Sequence, residues 1–519
     1  MENSALPIII YGMVRTLILA AAASLFTANA LRAQTWDGGG ANDRWSIKNN
    51  WNPNTIPSFN NSTDLIFSGS TRTSPDMNGS RTVNSITFDS GAAAFTLLGD
   101  NGPDSETLTF GGGGAGIVQN SANDQTMLMN RIRFNSATTI TVTGAGDLYL
   151  GDGTASAGLL YGANNLTKDG TGGSLILRAN NSNWSGNLAI DAGVVEARAD
   201  NALGDTGGTT TVATGAALNL GAGGLAIAES FTLSGTGIAD AGALRNITGS
   251  NSVSGAIVLG ADARINADTG TLTLTGAITG AGQGLTLGGV GNVTVSGAVG
   301  TTTGTLTKDG AGTVILSGTN TYSGSTTVSA GTLQIGDAGT SGTFGSGGGV
   351  TNNAAVTLNR TDAFTVNNTI SGTGTLTHAG TGTTTLSGAN SYDGATTVTA
   401  GVLTLQNATA LGTTAGGTSV AAGAALQLDS GGLAIAESVT LSGTGSGGTG
   451  ALRNTAGSGT NTVSAAIALA GDTRINADAG GTLALTGGIT GTDRNLTVGG
   501  AGDVSVSGAI ATGTGSLTK

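Results

Sequence analysis

The 519-residue sequence has no cysteine, one histidine and no proline after Pro103. Each shortage removes a class of explanation. Without cysteine there are no disulfides and no thiolate metal sites. With His378 as the sole histidine, multi-histidine metal sites and Cys–His pairs lack parts, and a histidine-based triad has one residue to draw on. Aromatics make up 4% of the chain and charged residues 10%, where about a quarter charged is usual. The large side chains of an ordinary core are therefore missing. Lys and Arg number 19 against 31 Asp and Glu, for a net charge of −12, and the four lysines form no cluster. That balance disfavours nucleic acid as a partner. Proline deletes a ladder donor and is excluded from central strands. Its absence from everything after Pro103 predicts continuous hydrogen-bonded sheet there.

What is present is glycine, 93 residues of it, together with short alternating apolar runs. Disordered chains lack such periodicity. Collagen needs glycine at every third place and abundant proline. Neither description fits. Gly270-Thr-Leu-Thr-Leu-Thr275 sets Leu272 and Leu274 on one face and threonines on the other, and Asn292-Val-Thr-Val-Ser296 does likewise. Period-2 alternation punctuated by Gly and Asn is a strand-and-turn signal. Beyond the N-terminus no helical stripe occurs, so the fold class is all-β.

Residues 1–33 read as a secretory signal. Thr16 to Phe26 is an apolar run of h-region length, and Ala28-Asn29-Ala30 is a small-x-small cleavage site, with cleavage after Ala33 as the alternative. The run is too short to span a bilayer, and no later stretch approaches ~18 uninterrupted apolar residues. Met13-Val-Arg-Thr-Leu-Ile-Leu-Ala makes a more conventional start than Met1, so translation is expected to begin at Met13. Residues 34–160 hold Trp36, Trp45, Trp51 and four of the five prolines, the bulk that a capping region and first solenoid turns require. Residues 161–519 carry repeats.

The clearest unit runs from Leu306-Thr-Lys-Asp-Gly-Ala-Gly through Leu316-Ser-Gly, Asn320-Thr-Tyr-Ser-Gly324 and Thr326-Thr-Val to Ala330-Gly-Thr-Leu333. Copies start at Leu166 and Leu376, and Leu517-Thr-Lys519 opens another, so the chain is expected to continue past Lys519 with D-G-x-G. The intervals from Leu166 to Leu306 and from Leu376 to Leu517 are each twice, or nearly twice, that from Leu306 to Leu376. Such a ratio suggests three turns of a coil against six. Longer copies exist as well: Gly224-Leu-Ala-Ile-Ala-Glu-Ser230 returns unchanged as Gly432 to Ser438. Short strands repeating at fixed spacing predict a β-solenoid. At ~23 residues a turn it would have roughly 21 turns, with neighbouring rungs ~4.8 Å apart.

These residues resemble the autotransporter-associated beta strand repeat. The resemblance implies a right-handed parallel β-helix (β-solenoid), a Sec-type signal, and passage through a C-terminal outer-membrane translocation barrel. That barrel is not present in this chain: residues 410–519 contain no Phe, Tyr or Trp for its aromatic girdles. The expected protein is thus an exported, non-enzymatic passenger or stalk, at the cell surface or secreted. The alternatives are an adhesin or carbohydrate-binding protein, with a surface glycan or neighbouring cell as partner, and then a polysaccharide-degrading β-helix enzyme.

No residue is expected to be catalytic, cofactor-binding or metal-binding. His378 aligns with Lys168, Lys308 and Lys519, which argues for an exposed repeat position. Gly111 to Gly116 satisfies G-x-G-x-x-G but no helix opens after it, as dinucleotide binding needs. Gly499-Gly-Ala-Gly-Asp503 is read as a turn rather than a calcium loop. Acidic residues recur in Asp-Gly turns instead of converging as a glycosidase pair. Six aromatics remain as candidate ligand contacts. Trp184, Tyr322 and Tyr392 share one place in the repeat, as a ladder of sugar platforms or as cover for the coil's edge. Trp36, Trp45 and Trp51 divide between cap packing and carbohydrate contact. For all six the packing reading is favoured.

Overall fold

The computed structural model describes residues 33–99, 106–112, 116–153 and 159–519. The expected signal segment lies outside them, apart from Ala33. The chain divides into two compact units, Met1–Thr209 and Thr210–Lys519. Each is a parallel β-solenoid, with strands of two to five residues in the first unit and two to eleven in the second.

In the first unit one ladder runs from Ala33–Trp36 through Asp64–Phe67, Ser85–Phe88, Gly116–Gln119, Thr138–Val142 and Leu166–Asp169 to Leu188–Ile190. A second joins Arg81–Val83, Thr107–Phe110, Arg131–Phe134 and Leu159–Tyr161. Pairing thus runs uninterrupted past residue 160. Among the described residues one pair is antiparallel, Ala33–Trp36 against Trp51–Asn52, at the first rung. The strand Gly116–Gln119 begins at the last glycine of the G-x-G-x-x-G match, where a nucleotide site would need a helix.

In the second unit a turn such as residues 285–305 divides its length among three strands, Leu285–Gly289, Asn292–Val295 and Val299–Gly300. Each stacks on its equivalent one turn later: Leu285 on Leu306, Val293 on Val314. Turns differ in length, short where Leu306 pairs with Thr326 and longer where Val439 pairs with Ile467. Parity decides burial. Leu272, Leu274, Val293 and Val295 are fully buried, while the threonines between them are not.

The expected whole-turn spacing of the repeat does not hold. Leu306 stacks with Thr326, Val350 and Ile370. Leu376 stacks instead with Val356, Leu333 and Val314. The interval from Leu306 to Leu376 is three turns plus one face, so the later copy starts on a different wall of the coil. The motif supplies its own corner wherever it falls.

Glycine abundance has a steric cause at one corner. A Cβ on Gly276, Gly297 or Gly318 would collide with the carbonyl oxygen of Gly255, Gly276 or Gly297 in the turn before. Rungs approach so closely there that no side chain fits. Gly297→Ala is expected to destabilise by about 1–3 kcal/mol, read as reduced amide protection in the neighbouring rungs. Gly347, exposed with open space around it, is the matched control. Equal behaviour of the two alanine variants would dismiss the steric account.

Candidate functional site

The repeat's chemistry gathers at its first corner. In Leu306–Lys308 the parity that buries Leu306 also turns Lys308 inward. Lys168 and Lys308 are 0% and 1% exposed, and His378 is 0% exposed. The expectation of a solvent-exposed repeat position is therefore wrong: position i+2 of a strand faces the same way as position i. A buried ammonium demands acceptors, and the corner provides them. Lys308 Nζ donates to the carbonyl oxygens of Asp309, Gly310 and Ala330 at 2.7, 2.8 and 2.9 Å. Lys168 Nζ donates likewise to Asp169, Gly170 and Ala192 at 2.9, 2.8 and 3.1 Å. The turn glycines sit at φ +82° (Gly170) and +69° (Gly310), as the Asp-Gly reading requires. Burial pulls both amines down to about 8, against the adjacent Asp169 and Asp309 carboxylates.

His378 is shorter than lysine. Neither imidazole nitrogen makes a hydrogen bond of acceptable geometry. Burial pushes its pKa down to about 4, opposed only by the Gly382 backbone. In the unfolded chain the imidazole binds its proton near pH 6.5. Between the two values the unfolded state holds more protons, so stability is full above pH 6.5 and falls as pH drops toward 4. The loss approaches about 3 kcal/mol, on the order of one for each pH unit. It is confined to the rungs around His378 and is read as the pH dependence of their amide exchange. His378→Lys, which restores the ammonium of the sister copies, should flatten that profile. A wild-type profile already flat from pH 7 to 4 would refute it.

The aromatic candidates are all interior. Trp36, Trp45, Trp51, Trp184, Tyr322 and Tyr392 are each 0% exposed. Trp51 meets Trp36 edge-on with ring centroids 5.2 Å apart, and Trp45 at 6.0 Å. Phe67 packs against all three. Two of these indoles are tied to backbone: Trp36 Nε1 donates to Arg72 O at 3.2 Å and Trp51 Nε1 to Trp45 O at 2.8 Å. In the repeat, Trp184 Nε1 donates to Asn164 O at 2.9 Å. The Tyr322 and Tyr392 hydroxyls pair with Thr326 and Thr396 Oγ1 at 2.8 and 2.6 Å. Burial raises the pKa of both phenols, and those hydrogen bonds oppose it.

The ring faces that a sugar would use are already covered. A Cβ on Gly345 would lie 2.5 Å from Tyr322 Cδ2, and one on Gly412 3.1 Å from Tyr392 Cγ. Gly204 lies over Trp184 in the same way. Nor do Tyr322 and Tyr392 form a ladder, since Thr326 and Thr396 belong to different stacks. The arrangement fits packing, and ligand contact would require the covering loops to leave.

Sequence reasoning passed over the asparagine two or three residues before each aromatic. Asn390 Oδ1 accepts from Ile370 N in the preceding turn at 2.8 Å, and its Nδ2 donates to Ala410 O in the following turn at 2.6 Å. Asn320 links Val299 N to Thr343 O at 2.9 and 2.7 Å. Asn181 links Leu160 N to Ala202 O at 2.9 and 2.6 Å. One side chain joins three consecutive turns. Its recurrence at one place in every copy was the available signal.

Three segments, residues 166–197, 306–335 and 376–405, match the passenger-associated-transport-repeat family. No curated protein and no solved structure matches the chain. The matched segments are those that carry the lysine or histidine corner, the asparagine link and the covered aromatic. Repeats and parallel solenoid together fit the passenger domain of an autotransporter. No helix among the described residues is long and apolar enough to cross a membrane, which leaves β-barrels unaddressed.

Proposed function

We propose that this chain, built on passenger-associated-transport repeats, is an exported, non-enzymatic spacer. It is carried across the outer membrane through a translocation barrel and stands at the cell surface or is released from it. The observation that carries the reading is the triple asparagine link within the three matched segments. Every copy uses its polar side chains to join rungs. Each turn of such a coil is stabilised by its neighbours, so a chain arriving end first can fold progressively. The absence of cysteine suits a chain that crosses membranes unfolded. The N-terminal apolar run before Ala33 would serve as the Sec-type signal.

Several polar groups of the repeat region are tied up in ion pairs or sealed in the core. Asp309 pairs with Arg264 at 2.5 Å and Asp268 with Arg245 at 2.5 Å. His378 is sealed in the core. The test is export. Placed ahead of an outer-membrane barrel in a Gram-negative host, the chain should become accessible to protease added to intact cells and yield a resistant folded core. A folded chain that stays protected in the periplasm would reject the passenger reading.

A further inference from the structure

The second unit contains a pocket that the passenger reading does not use. After the strand Val402–Leu405 the chain bulges outward before re-entering the sheet at Thr418–Val420. A cavity of about 410 Å³ opens between this loop and the strand Ala434–Ile435. That volume lies within the ~300–1,000 Å³ typical of small-molecule sites. Its floor is apolar, with Leu411 and Ile435 both buried. Its rim includes Thr409, Thr413 and Thr414; the Thr409 and Thr413 hydroxyls donate to Asn407 Oδ1 and Asp393 Oδ1 and keep their lone pairs as acceptors. No Lys, Arg or His lines it, so nothing favours an anion.

One charged side chain belongs to the lining. Glu437 is 4% exposed. Its Oε1 accepts from Thr418 Oγ1 at 2.9 Å. Its Oε2, equally buried, has no hydrogen-bond partner. A buried acceptor left unpaired costs about 1–3 kcal/mol, a cost that an incoming hydroxyl removes. Burial raises the carboxyl to about 7, with the Thr418 bond opposing, so near neutrality it attracts cations less than a fully ionised carboxylate.

We propose that this pocket binds one neutral sugar unit, a ring hydroxyl donating to Glu437 Oε2 while the ring's C–H face lies on Leu411 and Ile435. The apolar floor, hydroxyl rim and single buried acceptor match the two faces of a pyranose. Binding here involves none of the six buried aromatics, and it holds or fails independently of how the chain is exported.

The sequence has five glutamates, so carboxyl-¹³C glutamate labelling of the full chain gives a spectrum in which Glu437 can be assigned by mutation. Glu229 is the internal control: it occupies the same Ala-Ile-Ala-Glu-Ser sequence and accepts from Thr210 Oγ1 at 2.8 Å. The probes are methyl β-D-glucopyranoside, methyl α-D-mannopyranoside and N-acetyl-D-glucosamine, with methylammonium as the cationic comparison. At least one sugar should shift the Glu437 signal saturably and leave Glu229 in place. Glu437→Gln, which keeps the acceptor toward Thr418, should weaken that sugar about tenfold by calorimetry. Ala408→Phe, at an exposed place on the loop, should block binding while the Glu437 titration persists. The proposal is overturned if no sugar moves the signal, if methylammonium saturates it more tightly than any sugar, or if Ala408→Phe binds like the parent.

Discussion

Asn390→Ala should lower the stability of the surrounding rungs by roughly 2–6 kcal/mol, because it strands two buried backbone groups at about 1–3 kcal/mol each. Ile370 N loses its acceptor and Ala410 O loses its donor, and both lie where water does not reach. A change of a few atoms thus touches three turns at once. In a coil stabilised by neighbour contacts, the damage should spread outward from the break and fade. Amide exchange gives the readout. Ile370 should lose protection first and most, with Asn320 and its partners in an earlier copy retaining theirs. Unchanged exchange at Ile370 in a folded Asn390→Ala protein would mean that the link is incidental. The same substitution at Asn320 should behave alike, although the two copies lie on different walls of the coil.

Trp51→Ala should cost about 3–5 kcal/mol, the usual range for removing a large buried aromatic. Trp51 sits between Trp36 and Trp45, edge-on to both, and its indole N–H reaches Trp45 O. Such edge-to-face pairs add about 0.5–1.5 kcal/mol each beyond the area buried. The first rung has no preceding turn among the described residues, and its antiparallel partner is the strand carrying Trp51 itself. The loss should therefore open the first rungs of the first unit. Near-ultraviolet dichroism from the tryptophans should collapse at a lower temperature than the far-ultraviolet sheet signal. A Trp51→Ala chain that melts like the parent would instead return the cluster to a ligand-binding role.

Much of the fold was legible because a strand's period is exact. Leu272 and Leu274 read as inward residues and are inward. The same rule, applied without regard to polarity, would also have placed Lys168, Lys308 and His378 inside. Chemical character overrode parity in that expectation, since an isolated buried ammonium is too costly. The acceptors that remove the cost are backbone carbonyls, among them Ala330 of the following turn, and no residue code announces where a carbonyl points. The aromatics were read from the sequence as packing residues first and as ligand contacts second. Their shared place in the repeat was visible, but the glycines covering Tyr322 and Tyr392, Gly345 and Gly412, lie a full turn further on.

By itself the sequence determined the class of structure: all-β, glycine-cornered, assembled from copies of one repeat unit. These properties follow from local periods and from residues that are missing, and each can be read within a few positions. Only the tertiary structure decided how many residues close a turn, and so which positions meet. Because the interval from Leu306 to Leu376 is not a whole number of turns, those copies land on different walls. Tyr322 and Tyr392, which share one place in the repeat, therefore lie at separate buried corners. The same stacking placed Glu437, with one buried oxygen unpaired, in the lining of a pocket. Contacts in a coil are made one turn away, and the length of that turn is set by packing rather than by any single residue.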